Sequence, residues 1–228
     1  MKIDVMTLFP EMIDFNMEIG IVGRAVKSGI VSLQTHQIRD FSSDKHRRVD
    51  DYPFGGGEGM VMMAEPIFRT FEHIVELRKC RPFLVMMSPK GKVLNQEIIK
   101  KIRKLENLCI LCGRYEGVDQ RVIDEIVDEE ISIGDYVLSG GEIPALVFLD
   151  AVIRTLPGVL SSDDCFKNES HYNKMLEHSQ YTRPRVWHEK KVPEVLISGN
   201  HKEIEDWKKE QSTAITKKCR PDLIQKKT

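Results

Sequence analysis

Residues 113–144, GRYEGVDQRVIDEIVDEEISIGDYVLSGGEIP, place two glycine-bearing turns around a run of carboxylates, a pattern that packing alone does not ask for. Ahead of Gly113 stands the apolar run Leu108-Cys109-Ile110-Leu111-Cys112, a buried strand that opens straight into a loop. A second apolar run, 131–138, breaks at Gly134 and stops at Ser139-Gly140-Gly141. Glycine tolerates positive φ and lets main-chain N–H and C=O groups approach a ligand with no Cβ between them. Strand ends that open into such loops are common binding positions in α/β proteins.

Several side chains nearby have acid, base or anion-binding chemistry, and each has a plainer reading beside it. Glu116 and Asp119 flank the first turn with Arg114 and Tyr115, yet a loop carboxylate is ordinarily just solvated. Asp124, Glu125, Asp128, Glu129 and Glu130 form an acidic run, expected to be a solvated helix face and assigned no chemistry. Arg154 ends the apolar helix ALVFLDAVIR beside Pro157-Gly158, where a cation suits the helix dipole and equally suits an anionic ligand. Asn168, Glu169, Ser170 and His171 carry acid and base groups in a polar stretch. Tyr181, Arg183, Arg185, Trp187, Lys190 and Lys191 interleave cations with aromatics, which serves a phosphate backbone and a stacked base. No Walker A sequence is present, and Gly55-Gly56-Gly57-Glu58-Gly59 neither follows a strand nor matches a dinucleotide fingerprint.

The elements that must position these groups follow from periodicity. Residues 2–9 predict a strand, 10–26 helical spacing interrupted by Gly20 and Gly23, and 31–38 a second strand. A polar, glycine-rich segment over 39–59 is too long for an ordinary connection and is expected to be functional or mobile. Helix is predicted over 66–78, then strand over 82–87 closed by a turn at Ser88-Pro89-Lys90-Gly91, then a basic helix over 95–105. With a last helix over 143–155, strand and helix alternate as in an α/β domain with a largely parallel sheet. Residues 161–174 are polar and aperiodic, a linker by composition, and 176–228 predict a small helical appendage.

The 228 residues and their 41% hydrophobic content suffice for one sizeable domain plus that appendage. Lys and Arg total 34 against 35 Asp and Glu, so a polyanion must meet a local patch rather than a global field. No apolar stretch reaches the ~20 residues that span a bilayer, and the N-terminus lacks the regions of a signal peptide, so a cytoplasmic location is expected. Five scattered cysteines do not suggest a disulfide framework, and the single CxxC at Cys109 and Cys112 lacks a second ligand pair for zinc.

The segments LFPEM, GGGEGMVM, LCGRYEGVD, EEISIGDYVLSGGEIPA, LPGVL, QYTRP, VPEVLISGNH and RPDL, in that order, resemble the bacterial tRNA (guanine-N1)-methyltransferase family along nearly the whole chain. The resemblance implies an α/β fold of the SPOUT class: a parallel sheet with a deep trefoil knot, plus a small C-terminal helical domain. It divides the chain into a knotted S-adenosylmethionine-binding domain (1–160), a flexible linker (161–175) and a tRNA-binding helical domain (176–228). It implies a homodimer with the active site at the subunit interface, acting on N1 of the guanine 3′ of the anticodon.

Carried over by motif, the cofactor cradle falls on Ser88 and Pro89, on Gly113, Tyr115, Glu116 and Gly117, and on Ile133, Gly134, Asp135, Tyr136, Val137, Leu138, Gly140 and Gly141. Guanine contacts fall on Asp50, Tyr115, Glu116 and Arg154. The catalytic pair would be Glu169, the base that removes the N1 proton, and Arg154, opposite the charge developing on O6. Glu169 departs from the family's usual Asp, and an alternative alignment would use Asp164 instead. His171 and Lys174 stand where the family has Phe and Gly, which leaves a catalytically silent RNA-binding member as the rival reading. Mg²⁺ assistance is a family trait, but the sequence carries no magnesium motif.

Overall fold

The computed structural model describes residues 1–162, 165–167 and 169–224. Contacts divide the chain into two compact units, Met1–Ser161 and Ser162–Thr228.

The first unit carries seven strands: β1 (Lys2–Thr7), β2 (Ser32–Gln37), β3 (Asp50–Asp51), β4 (Val61–Met62), β5 (Phe83–Val93), β6 (Asn107–Cys112) and β7 (Glu129–Ser132). Five of them form one parallel sheet in the order β2-β1-β6-β5-β7. The short β3 and β4 form a separate antiparallel pair. Six helices complete the unit: α1 (Pro10–Met17), α2 (Gly20–Lys27), α3 (Ala64–Arg78), α4 (Gln96–Ile102), α5 (Gln120–Ile126) and α6 (Glu142–Ile153).

Strand alternation explains why helices cover both faces. In β1, Ile3 and Val5 enter one core with α1, α2, α4 and α6, while Met6 enters a second core with α3 and α5. In β6, Leu108, Ile110 and Cys112 point to the first core and Cys109 and Leu111 to the second. The two cysteines of the CxxC therefore lie on opposite faces of one strand and cannot share a metal or a disulfide. Burial pushes both thiols well above the ordinary range, so they are inert apolar fillers.

Two local expectations are corrected. The turn expected at 88–91 does not end β5. The strand runs on to Val93, but Met87 and Lys92 both pair with Ile131, so the four residues between them bulge out of the ladder. The acidic run is not one solvated helix face either. Asp128 accepts the Leu84 amide at 2.7 Å and pairs with Arg81, and Glu129, in β7, pairs with Lys92 and Lys101. These carboxylates fasten β7 to the rest of the sheet. The segment 39–59 is also more ordered than its composition suggests, holding a 3-10 turn (Ile38–Phe41) and β3.

The second unit contains one long helix, α7 (His201–Cys219), and a hairpin of β8 (Val186–Trp187) and β9 (Lys190–Lys191). Within the helix, Thr213 and Thr216 donate their hydroxyls back to the Lys209 and Ser212 carbonyls.

Candidate active site

The bulge within β5 and the loops that leave the carboxyl ends of β6 and β7, strands that are neighbours in the sheet, enclose a cavity of about 270 Å³. The crevice beyond strand ends is where open α/β sheets bind ligands. The β5 bulge contributes Ser88, Pro89 and Lys90; the loop after β6 contributes 113–118; the loop after β7 contributes 133–134 and 136–141. Of the cofactor residues expected from sequence, all but Asp135 line this cavity; Asp135 stands on the same loop, outside the lining.

Main-chain bonds weld the loops to one another. The Gly141 N–H donates to the Gly113 carbonyl at 2.8 Å, and Arg114 and Gly140 form an isolated antiparallel bridge. Gly141 has an ordinary φ of −82°, so its freedom is not the reason for a glycine here. A Cβ would fall 2.8 Å from the Cys112 Cα and 2.9 Å from the Gly113 nitrogen, so close approach is the reason. Gly134 differs: its φ of +148° is one that side-chain-bearing residues avoid. Ser132 holds that turn, its hydroxyl accepting the Gly134 N–H at 3.2 Å.

Beneath the loops lies a buried charge network that the sequence reading does not anticipate. Glu142, wholly buried, accepts the Thr7 hydroxyl through Oε1 and the Arg114 Nε–H through Oε2, each at 2.8 Å. Arg114 also donates from Nη1 to the Ser139 carbonyl at 3.3 Å and lies over the Phe9 ring at 4.4 Å. Glu142 begins an apolar helix, where a carboxylate ordinarily faces solvent at the positive end of the dipole. Nothing in its spacing distinguishes it. Arg114 itself lies inside the glycine-bearing motif, and its place between Gly113 and Glu116 is the one signal that could have found it.

Asp50, Tyr115 and Glu116, three of the four guanine-contact candidates, are brought to the same end of the sheet; Arg154 is not, since α6 carries it away toward the strands' amino ends, where Gly158 lies beside Ile30. Asp50 pairs with Met62 across β3 and β4, and the Met62 N–H donates to the Gly117 carbonyl at 2.9 Å. The Glu116 N–H donates to the Met60 carbonyl at 2.9 Å, and Arg39 Nη2 donates to the Tyr115 hydroxyl at 3.2 Å. Tyr115 holds φ +60° and, with Glu116, is exposed at the cavity rim. Asp119 plays no such part. It caps α5 by accepting the Arg121 amide at 2.9 Å, and its hydrogen bond from the Arg121 side chain holds its carboxyl below the usual range.

Arg154 is the C-cap of α6, half-buried, its N–H closing the last turn on the Asp150 carbonyl. Glu169 lies in the second unit, half-buried, its N–H donating to the Phe166 carbonyl at 3.3 Å and its carbonyl accepting from Tyr172. Phe166 is buried and meets the Tyr172 ring edge-on at 5.4 Å. Asp164, the alternative base, lies outside the described residues, as does Asn168. Among the described residues no three His, Cys, Asp or Glu side chains come together in a way that would hold a metal ion. No helix among them is long and apolar enough to cross a membrane.

Comparison with known proteins adds a family to this geometry. The family described as tRNA (Guanine-1)-methyltransferase TrmD matches residues 1–226. A tRNA (guanine-N(1)-)-methyltransferase of Ruminiclostridium cellulolyticum is 54% identical, covering 99% of this chain and 97% of the relative. The protein of the same name from Clostridioides difficile is 50% identical, with 99% and 98% covered. Among solved structures, the tRNA (m1G37) methyltransferase from Aquifex aeolicus superposes with a TM-score of 0.81 at 44% identity, over 98% of this chain and 94% of that one.

Proposed function

Because this chain belongs to the tRNA (guanine-1)-methyltransferase family TrmD, we propose that it methylates N1 of guanine 37, just 3′ of the anticodon of tRNA, with S-adenosylmethionine as methyl donor. The observation that carries this is the cavity walled by the three loops to which the family motifs assign the cofactor. Its lining suits the donor: main-chain groups bared by glycines for an adenine edge, apolar Ile133 and Leu138, and carboxylates such as Glu130 and Glu116 for a sulfonium and an ammonium. When bound, S-adenosylmethionine supplies an electrophilic methyl group.

The chain's own residues supply the rest. Guanine N1 carries a proton at neutral pH, and Glu169 is the base that takes it. Its extra methylene, relative to Asp, lengthens the reach without changing the charge. Arg154 offers its guanidinium to O6, where negative charge grows as the proton leaves. Glu116, Tyr115 and Asp50 orient the guanine. No magnesium ligand set is preformed among the described residues.

Residues 1–160 form the donor-binding domain in this reading, 161–175 the linker and 176–228 the tRNA-binding domain. A knotted first domain is part of the proposal, and what supports it is the family match over residues 1–226. A homodimer with the active site at the subunit interface is part of the proposal. Exposed Phe15 on α1 and Ile143 and Val147 on α6, helices that pack together, support it. A cytoplasmic location follows from the tRNA substrate.

The test uses labelled S-adenosylmethionine with two tRNA transcripts that differ only in G or A at position 37. Label should enter the G37 transcript alone. Equal labelling of both would move the methylated position away from residue 37, and binding of the donor with no transfer to either would replace the enzyme with a silent RNA-binding member of the family.

A further inference from the structure

The hairpin of the second unit, β8 and β9, is short enough to be set by its turn. His188 and Glu189, with φ of +45° and +63°, form the left-handed two-residue turn that matches the twist of paired strands. Trp187 pairs with Lys190 and Val186 with Lys191, and the Val192 N–H donates to the Arg185 carbonyl at 3.0 Å. Pairing and the two-residue strand repeat put Arg185, Trp187 and Lys190 on one face.

Trp187 on that face is 61% exposed, an expensive place for the largest apolar side chain unless something covers it. His188 meets its ring edge-on at 4.4 Å with planes 79° apart, which steadies the indole while leaving it exposed. The cations around it are uncommitted. Arg183, Arg185, Lys190 and Lys191 form no ion pair among the described residues, whereas Lys92, Lys100 and Lys101 in the first unit are each paired with a carboxylate. An exposed aromatic plane flanked by unpaired cations is the arrangement that stacks an unpaired base and follows its backbone. A lone apolar patch for a protein partner would not need the cations.

We propose that this hairpin is a base-stacking element, in which Trp187 stacks on an unpaired nucleotide of the RNA substrate while Arg185 and Lys190 meet the adjoining phosphates. The inference rests on the tRNA reading above and adds to it a specific contact.

Trp187 and Trp207 are the only tryptophans of the chain, so Trp207→Phe leaves Trp187 as the sole indole reporter. Trp207 touches the Tyr181 and His178 rings at 6.3 and 6.1 Å, contacts that a phenyl ring keeps in kind. Titration of this variant with tRNA should quench the Trp187 emission saturably. In an otherwise native chain, Trp187→Ala should weaken tRNA binding roughly 5- to 150-fold while leaving the salt slope of log K unchanged. Lys190→Ala should instead lower that slope by about 1, and Trp187→Phe should recover most of the lost affinity.

Unchanged emission, or unchanged affinity in Trp187→Ala, in a protein that methylates tRNA overturns the stacking element and leaves the enzyme reading standing. Quenching in a protein that methylates no tRNA keeps the element and overturns the enzyme reading. Neither quenching nor methylation overturns both.

Discussion

The carboxylate of Glu142, with no solvent exposure, holds Arg114 by its Nε–H at 2.8 Å, and that single pair joins two walls of the cavity. Arg114 belongs to the loop after β6 and reaches the Ser139 carbonyl in the loop after β7, while Glu142 opens the helix that follows. Thr7, at the end of β1, completes the carboxylate's hydrogen bonds.

Removing one partner of a buried pair strands the other, which costs about 3 kcal/mol or more. Glu142→Ala should therefore lower unfolding stability by about 3 kcal/mol and weaken donor binding, while Glu142→Gln, which keeps an acceptor oxygen, should lose less of both. Urea unfolding and calorimetric titration with S-adenosylmethionine would read these effects. A midpoint equal to wild type in Glu142→Ala would refute the role given to the pair.

Gly141→Ala tests close approach rather than backbone strain. The added methyl meets the main chain of Cys112 and Gly113, neither of which can yield as a side-chain tip would. Gly57, with φ +125° but nothing within 4 Å of where a Cβ would stand, provides the contrast. Donor affinity measured by calorimetry should fall at least about tenfold in Gly141→Ala, a loss of ~1.4 kcal/mol, and stay near wild type in Gly57→Ala.

The base and the O6 partner make separate kinetic predictions. Glu169→Gln should lower kcat by roughly 10²- to 10⁴-fold with little change in tRNA affinity. Arg154→Ala should lower it by about 10²- to 10³-fold. Single-turnover methylation would measure both. A fully active Glu169→Gln beside an inactive Asp164→Asn would transfer the role of base to Asp164.

Stability should fall in acid for a reason remote from the cavity. Burial alone would raise the Asp4 carboxyl, but hydrogen bonds from His36 and Arg78 and the Arg78 charge outweigh it and leave the group lowered. A lowered folded-state value contributes stability that is present above the unfolded value of about 3.9 and is lost as pH falls through the folded one. Asp4→Asn should be less stable than wild type at neutral pH, where Arg78 loses its anion. The gap should narrow below about pH 4. Urea midpoints across that range would show it, and a constant gap would refute the assignment.

How far the sequence reveals these features depends on what each residue has to satisfy. The sheet is legible because β1 and β6 alternate into two cores, and the cavity because glycines at 113, 134, 140 and 141 mark the loops that line it. The β5 bulge is hidden because Ser88-Pro89-Lys90-Gly91 has the same local chemistry whether it ends a strand or loops out of one; only pairing with Ile131 decides. Glu142 is hidden because burial of a charge depends on partners at Thr7 and Arg114, 135 and 28 residues away in the chain. Asp128 and Glu129 escape for the same reason: their cations come from β5 and its neighbours, not from a helix of their own.

Methyl transfer to guanine 37 is tested most directly by mass spectrometry of the nucleosides released from G37 tRNA after incubation with the protein and S-adenosylmethionine. The expected product is 1-methylguanosine, mapped to position 37 and absent from an A37 transcript. No 1-methylguanosine, with the donor bound and the tRNA intact, would contradict the proposed activity.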